Sequence, residues 1–241
     1  MTELRKYLRF GALSSIMDFL APPVCPMCEE DIFDESGVCL SCSSRLPQLP
    51  ERRCPSCGGP LNGILEICDD CADAGPRPWS TAVTAFPFHG PVRLAIHRFK
   101  YRNRISLAPF FGRKMAEAWM ERGKGGIDAV TYVPLHWMRY MERGYNQAEL
   151  VAEEVGRHLG VKTMRTMRRI HRTGRQATLG RSGRLENMRG AFAPCHAAGF
   201  EGMRLLLVDD VFTTGTTLGE ATTTLLNAGA KSVSVLTIAR D

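Results

Sequence analysis

The stretch RLLLVDDVFTTGTTLGEA, residues 204–221, decides the fold. Four apolar residues lead into the adjacent carboxylates of Asp209 and Asp210, and four threonines then surround Gly215. A continuous apolar run of this kind is typical of a strand that is buried on both faces of a sheet. The stretch therefore predicts a buried strand that ends in paired negative charge and is followed by a loop rich in hydroxyl groups.

Two more segments predict strands of the same type, and a helical pattern lies between them. DAVTYVPL (128–135) and KSVSVLTIA (231–239) are short apolar runs rich in β-branched residues. In NQAELVAEEVGRHLG (146–160) the apolar residues recur at the spacing of one helix face. Buried strands that alternate with amphipathic helices predict an α/β fold, with a doubly wound parallel sheet. Such folds bind ligands at the carboxyl ends of their strands, where the acidic pair lies.

The residues after the acidic pair are suited to hold a phosphate group. Gly215 permits a backbone conformation that a side chain would penalise, and the N–H groups at the start of the next helix carry partial positive charge. The lysine of a nucleoside-triphosphate P-loop is missing from this stretch. Hydroxyl donors to phosphate oxygens are available from the four threonines, Thr213, Thr214, Thr216 and Thr217.

The acidic pair itself would repel a phosphate group, but it suits ribose hydroxyls or a hydrated Mg²⁺ ion. Together, Asp209, Asp210 and the loop describe a site for a ribose 5-phosphate. One alternative is purely structural, with an exposed strand end and a threonine that caps the helix. Another is a flavin-phosphate loop, which also uses Thr and Gly but usually follows the first strand.

Eight of the nine cysteines form four C-x2-C pairs in the first third of the chain. The pairs are Cys25 and Cys28, Cys39 and Cys42, Cys54 and Cys57, and Cys68 and Cys71. Such pairs predict two structural zinc sites, each with four cysteine ligands and no open position for a substrate. A disulfide framework is the alternative, and it needs an oxidising compartment. The repeated C-x2-C-x10-C-x2-C pattern favours consecutive pairing within each copy, and an interleaved pairing remains open.

A composition break at DAGPRPWS (73–80) divides the chain into a cysteine-rich domain, residues 1–75, and an α/β domain, residues 80–241. No apolar run is long enough for a membrane span. The N-terminus reads better as a short amphipathic helix than as a signal peptide, because Asp18 interrupts its apolar patch. We therefore expect a cytoplasmic protein.

Basic charge is concentrated between Arg165 and Arg189, where eight arginines face one acidic residue, Glu186. The net charge of this segment is +7, whereas that of the whole chain is +6. Three interpretations are open: a mobile loop that closes over pyrophosphate, a track for a nucleic-acid backbone, and a merely solvated basic loop.

The stretch LLLVDDVFTTGTTL resembles the phosphoribosyl-pyrophosphate motif of type I phosphoribosyltransferases. Together with FHGPVRLAIHRFKYRNR (88–104), VPLHWMRYMERGYNQAELVAE (133–153), RQATLGRSGRLENMRGAF (175–192) and the eight cysteines, it resembles the ComF family. These competence-associated proteins join a double zinc ribbon to a phosphoribosyltransferase domain. The likeness runs from about residue 20 to the end of the chain.

The resemblance implies roles for individual residues. Asp209 and Asp210 would contact the ribose hydroxyls, and residues 213–217 the 5′-phosphate. Candidates for the pyrophosphate are Arg139, Arg143, Asn146 and Gln147, with Lys100 and Arg102 as further contributors. Asn146 has an alternative role as a helix cap, and Lys100 and Arg102 as members of an exposed basic helix face.

Two classes of function follow. As an enzyme, the chain would bind phosphoribosyl pyrophosphate with Mg²⁺ and transfer ribose 5-phosphate to an acceptor that the sequence does not identify. As a binding protein, it would use its zinc ribbons and arginine-rich segment to engage single-stranded DNA or other competence proteins.

Overall fold

The computed structural model describes residues 24–25, 27–30, 32, 37–61, 64–170 and 190–241. Two predicted features fall outside these ranges: the N-terminal amphipathic helix and the part of the arginine-rich segment from residue 171 to 189. Among the helices of the described ranges, none combines the length and apolar character that crossing a membrane requires.

A four-stranded parallel sheet forms the centre of the molecule. The strands of the described chain are β1 (Ala82–Pro87), β2 (Ala129–Tyr132), β3 (Met167–Arg169), β4 (Phe192–Pro194), β5 (Arg204–Phe212) and β6 (Ser232–Arg240). The central sheet has the order β1-β6-β5-β2, and β3 pairs with β4 in a separate antiparallel ribbon. The three predicted strands are confirmed as β2, β5 and β6. Strand β5 continues two residues beyond the acidic pair, to Phe212.

Helices cover both faces of this sheet, which confirms the predicted doubly wound α/β class. The described helices are α1 (Leu40–Ser44), α2 (Asp69–Ala74), α3 (Gly90–Tyr101), α4 (Leu107–Arg122), α5 (Trp137–Arg143), α6 (Gln147–Leu159) and α7 (Thr216–Asn227). Buried side chains of α3, α4 and α6 join one core, and those of α7 join the other. The helix predicted from the periodicity at 146–160 is α6.

The alternation of side chains along β5 separates the two cores. Leu206 and Val208 point into the core under α3, α4 and α6, whereas Leu205 and Leu207 point into the core under α7. All four are fully buried, and each such side chain contributes about 1.5–3 kcal/mol to the hydrophobic stabilisation. The strand that carries the acidic pair is therefore held from both sides.

The cysteine-rich region packs onto both cores. Cys25 and Cys39 belong to the core under α4, and Cys54 and Cys71 belong to the core under α7. In the composition break at 73–80, Trp79 is only 6% exposed and donates from Nε1 to the Ser56 carbonyl at 2.8 Å. This break is thus packed against the second cysteine repeat. The division into residues 1–75 and 80–241 stays a prediction.

Candidate functional site

Eight cysteine sulfur atoms form two compact groups. In each group all four Sγ atoms lie within 4.8 Å of one another. The first cluster is Cys25, Cys28, Cys39 and Cys42, and the second cluster is Cys54, Cys57, Cys68 and Cys71. The pairing is therefore the consecutive one, and each group fits the closed tetrahedral shell of a structural zinc ribbon.

The first cysteine of each cluster is prepared to be a thiolate. Burial raises the pKa of Cys25, but N–H groups of Cys39, Cys28 and Met27 outweigh it and lower the pKa to about 7. The pKa of Cys54 is lowered in the same way against burial, with N–H groups from Cys68, Ser56 and Cys57. Burial raises the pKa of Cys68 to about 11, although the N–H of Cys71 acts in the opposite direction. This donor set fits zinc, which would hold all four sulfurs as thiolates.

A left-handed residue follows each first C-x2-C pair. In the first cluster it is Glu29, with φ 71°, and in the second it is Gly58, with the same φ. A Cβ on Gly58 would lie 2.9 Å from the backbone N of Thr84 in β1. Glycine is required there because the second repeat lies directly on the edge of the sheet.

The acidic pair lies near the carboxyl end of β5. The Asp209 side chain accepts a hydrogen bond from the N–H of Asp210 at 2.8 Å. Asp210 is paired with Lys100, whose Nζ lies 2.8 Å from Oδ2. Lys100 lies in the last turn of α3, and this position brings its ammonium group to Asp210. Asp210 is one of the two acids that the family resemblance implies as contacts of the ribose hydroxyls. Both side chains are about one fifth exposed, so a ligand has access to this ion pair.

Asp209 is less acidic than an ordinary carboxyl group. Burial and the charge of Asp210 raise the pKa of Asp209 to about 7, although Lys100 and Arg169 act in the opposite direction. The pKa of Arg169 is lowered by burial and by the charge of Arg139, and Asp209 raises it. Cations from α3 and β3 thus act on the acidic pair, and Arg139 of α5 acts on Arg169.

The phosphate loop, residues 213–217, turns the chain from β5 into α7. Gly215 has φ 77° and occupies the N-cap position, where it has no side chain to cap α7, and the Thr216 N–H donates to Thr214 Oγ1 at 3.4 Å. The hydroxyl oxygens of Thr214 and Thr216 are 2.8 Å apart and hydrogen-bonded to each other. A helix N-terminus with a glycine N-cap and adjacent threonine hydroxyls is a suitable site for an anion.

The predicted pyrophosphate residues are clustered at the start of α6 and the end of α5. Arg143 donates from Nη1 to Gln147 Oε1 at 3.0 Å, and its guanidinium lies 4.9 Å from the ring centroid of Tyr101. Gln147 is 1% exposed, so it can reach a ligand only through Arg143. Asn146 accepts from Ala148 N at 3.2 Å and donates to the Val133 carbonyl at 3.1 Å. The capping alternative therefore accounts for the first of these hydrogen bonds, and the second ties the cap to the residue that follows β2.

Two arginines near the site were missed by the sequence reasoning. Arg169 was grouped with the arginine-rich segment, and its position beside Asp209 depends on the pairing of β3 with β4. Arg77 was assigned to the domain break, yet its Nη1 lies 3.1 Å from the position that a Cβ on Gly215 would occupy. Arg77 precedes a Pro-Trp pair and β1, and no sequence pattern pointed to its position near the loop.

The chain matches two family models. One is the double zinc ribbon domain, over residues 16–72, and the other is the phosphoribosyl transferase domain, over residues 144–241. The second match and the doubly wound sheet define a protein of the phosphoribosyltransferase fold that carries a zinc-ribbon region.

Relatives extend over most of the chain. It is 30% identical to the DNA utilization protein YhgH of Salmonella typhi over 225 residues, which is 91% of this chain and 97% of that protein. It is 29% identical to Competence protein F of Haemophilus influenzae, over 86% of this chain and 91% of that one. Competence protein ComFC of Bacillus subtilis is 28% identical, over 86% and 85% respectively. The chain belongs to the ComF family.

Proposed function

We propose that this chain binds phosphoribosyl pyrophosphate at the carboxyl end of β5. Asp209 and Asp210 take the ribose hydroxyls, and the phosphate loop takes the 5′-phosphate. The observation that supports this most strongly is the continuity of the site. A strand buried on both faces holds the acids, and the start of α7, with its glycine N-cap and threonine hydroxyls, follows within seven residues.

Basic side chains around the acidic pair receive the pyrophosphate. Ribose hydroxyls that bind Asp210 replace its ion pair with Lys100, whose ammonium group then becomes free to contact the pyrophosphate. Arg143 offers a bidentate fork that Gln147 orients, and Arg139 adds charge beside Arg169. The carboxylates fit Mg²⁺, which when bound with the ligand neutralises charge on the leaving group.

The reaction that this site supports is phosphoribosyl transfer. The bond between ribose C1 and the pyrophosphate oxygen breaks, pyrophosphate leaves with the bonding electrons, and the acceptor forms a new bond to C1. Cationic side chains that face the departing group stabilise its charge in the transition state. These residues define the donor half of the reaction.

Isothermal titration with phosphoribosyl pyrophosphate and Mg²⁺ tests this proposal. We expect one ligand per chain, and no measurable binding to the variant Asp209→Ala plus Asp210→Ala. Asp128→Ala is the matched control, because Asp128 lies at the start of β2 and binds Arg204 rather than the site. Equal heats for all three proteins, or no heat for the unsubstituted chain, would contradict the proposal.

A role in the use of DNA is supported by the names of the relatives and by the basic segment. Arg165 and Arg168 are exposed at the start of this segment, in the described part of the chain. We propose that the arginines between 165 and 189 contact the phosphates of single-stranded DNA. We also propose that the protein acts in the cytoplasm during competence, with other competence proteins as its partners. Thiols stay reduced in that compartment, as zinc ribbons require.

A gel shift with single-stranded DNA at increasing salt tests this second function. We expect binding that weakens with salt, and a large loss when the arginines at 165–189 become glutamine. A charge-matched comparison sets Arg165→Gln plus Arg168→Gln against the control Arg93→Gln plus Arg157→Gln, because each variant removes two exposed arginines. No shift at low salt, or equal losses in both variants, would rule out this use of the segment.

A further inference from the structure

Two arginines lie between the second cluster and the phosphate loop. Arg77 donates from Nη2 to Cys71 Sγ at 3.8 Å, and its guanidinium lies 5.4 Å from the ring centroid of Trp79 and 5.9 Å from that of Phe212. Phe212 is the last residue of β5, and its ring meets Trp79 edge-on at 5.7 Å. Arg77 therefore contacts both a predicted zinc ligand and the residue from which the loop begins.

Arg240, the last residue of β6, makes a similar connection. It donates from Nη2 to Asp70 at 2.7 Å, next to Cys71, and its guanidinium lies 5.1 Å from the Phe212 ring centroid. The absence of a side chain at Gly59 leaves room for Arg240, because a Cβ on Gly59 would lie 3.0 Å from Arg240 Cγ. Two guanidinium groups that both reach the second repeat thus lie within 6 Å of the Phe212 ring centroid, at 5.9 Å for Arg77 and 5.1 Å for Arg240.

The phosphate loop rests directly on this layer. A Cβ on Gly215 would lie 2.8 Å from Phe212 Cζ and 3.1 Å from Arg77 Nη1, so any displacement of either side chain changes the support of the loop. The first cluster has a different environment, in the core under α4, where Gly37 packs against Phe110. The second cluster is therefore the one that shares a core with Phe212 and Leu218.

Charge explains why the metal state of the second cluster matters to this layer. Four thiolates around Zn²⁺ leave a net charge of about −2, which attracts nearby guanidinium groups. The Nε atoms of Arg77 and Arg240 are buried and have no hydrogen-bond partner among the described residues. Without a metal nothing holds the four sulfur atoms of the second cluster together, so Cys71 loses the fixed position in which Arg77 contacts it.

We propose that Arg77 is a positioning residue of the phosphate loop, and that it makes the binding of a sugar phosphate at residues 213–217 depend on metal in the second cluster. This rests on the proposed function, because it assumes that the loop binds the 5′-phosphate. By thermodynamic linkage the effect is reciprocal, so a bound sugar phosphate also retains metal in the second cluster.

The test compares the zinc-loaded chain with Arg77→Ala, Arg77→Lys and Arg93→Ala, the last as a control on an exposed helix position. We expect Arg77→Ala to weaken the binding of ribose 5-phosphate about tenfold, within the usual range of coupling between sites. Arg77→Lys keeps the charge and recovers part of this loss, and Arg93→Ala binds like the unsubstituted chain.

A second measurement follows the transfer of zinc to a coloured chelator. Saturating ribose 5-phosphate should slow the release of one of the two zinc ions in the unsubstituted chain, and Arg77→Ala should abolish this slowing. Cys71→Ser and Cys42→Ser, which each disable one cluster, identify the retained ion. If the unsubstituted chain does not bind ribose 5-phosphate, the proposed function and the coupling are both wrong. If it binds, but Arg77→Ala binds equally and zinc release is unaffected, only the coupling is wrong.

Discussion

The raised pKa of Asp209 predicts that ionisation of its carboxyl group destabilises the folded protein as the pH rises. Its folded pKa of about 7 lies above the ordinary value of 3.8, so the folded state holds a proton that the unfolded chain releases. Between these two values the free energy of unfolding falls as the pH rises. The amide that replaces the carboxyl group in the variant Asp209→Asn cannot ionise. We therefore expect the variant to be more stable than the parent at about pH 8, by on the order of 2 kcal/mol, and by much less near pH 4.

Urea denaturation at the two pH values measures this difference, without added Mg²⁺ or ligand. Asp128→Asn is the contrasting control, because hydrogen bonds from Arg204 lower the pKa of Asp128 to about 2. The stability that Asp128 contributes is present above its unfolded pKa and lost as the pH falls. The control should therefore be less stable than the parent at about pH 8. A destabilised Asp209→Asn at that pH would show that the Asp209 charge is well compensated.

Gly58 is the second residue whose substitution has a clear expected outcome. Gly58→Ala places a Cβ 2.9 Å from Thr84 N and 3.1 Å from Val83 C, both backbone atoms of β1. Gly125→Ala has a similar φ of 79° but no atom within 4 Å, so it isolates the cost of the left-handed conformation. In urea denaturation of the zinc-loaded protein, Gly58→Ala should cost about 1–3 kcal/mol more than Gly125→Ala. Equal losses would mean that the second repeat does not lie this close to the sheet.

At the scale of elements, the start of α6 tests whether Asn146 is a cap or a ligand-binding residue. Asn146→Ala removes the hydrogen bond to Ala148 N and should lower the free energy of unfolding by about 1–2 kcal/mol. Asn146→Ser keeps a capping oxygen, so it should recover part of this loss and bind phosphoribosyl pyrophosphate like the parent. Calorimetry of unfolding and titration with ligand measure the two effects separately. A stable Asn146→Ser protein that has lost its affinity would assign Asn146 to the ligand.

The elements that carry a regular apolar pattern could be predicted from the sequence. Strands β2, β5 and β6 and helix α6 have such patterns, and β5 also places the acidic pair and the phosphate loop. The β3–β4 ribbon could not be predicted, since β3 is three residues long and its pairing joins distant parts of the chain. The position of Arg169, whose charge acts on Asp209, depends on that pairing. The two acids could therefore be predicted from the sequence, but Arg169 could not.

At the scale of the whole molecule, the two cysteine clusters are parts of the two cores. The Cys57 carbonyl accepts a hydrogen bond from Thr84 in β1 at 3.3 Å, and Trp79 is buried against the second repeat. We expect two zinc ions per chain by elemental analysis, and a lower melting temperature of the entire protein after a strong chelator removes them. An unchanged main transition in metal-free protein would show that the sheet is stable without the ribbons.

Cysteine spacing predicted the two zinc ribbons but not where they pack. The repeat of C-x2-C pairs favours the consecutive pairing, and the sulfur positions confirm it. Packing depends on Gly58, which meets β1, and on Gly59, which meets Arg240 far along the chain. It also depends on Trp79, which donates to the Ser56 carbonyl. The composition break between the two regions gave no sign that Arg77 reaches the phosphate loop.

A crystal structure with phosphoribosyl pyrophosphate and Mg²⁺ tests the central claim most directly. We expect the 5′-phosphate within hydrogen-bonding distance of the backbone N–H groups at residues 213–217, with ribose hydroxyls on Asp209 and Asp210. We also expect Lys100 to have left Asp210. A ligand bound elsewhere, or an intact Lys100–Asp210 ion pair beneath a bound ribose, would contradict the claim.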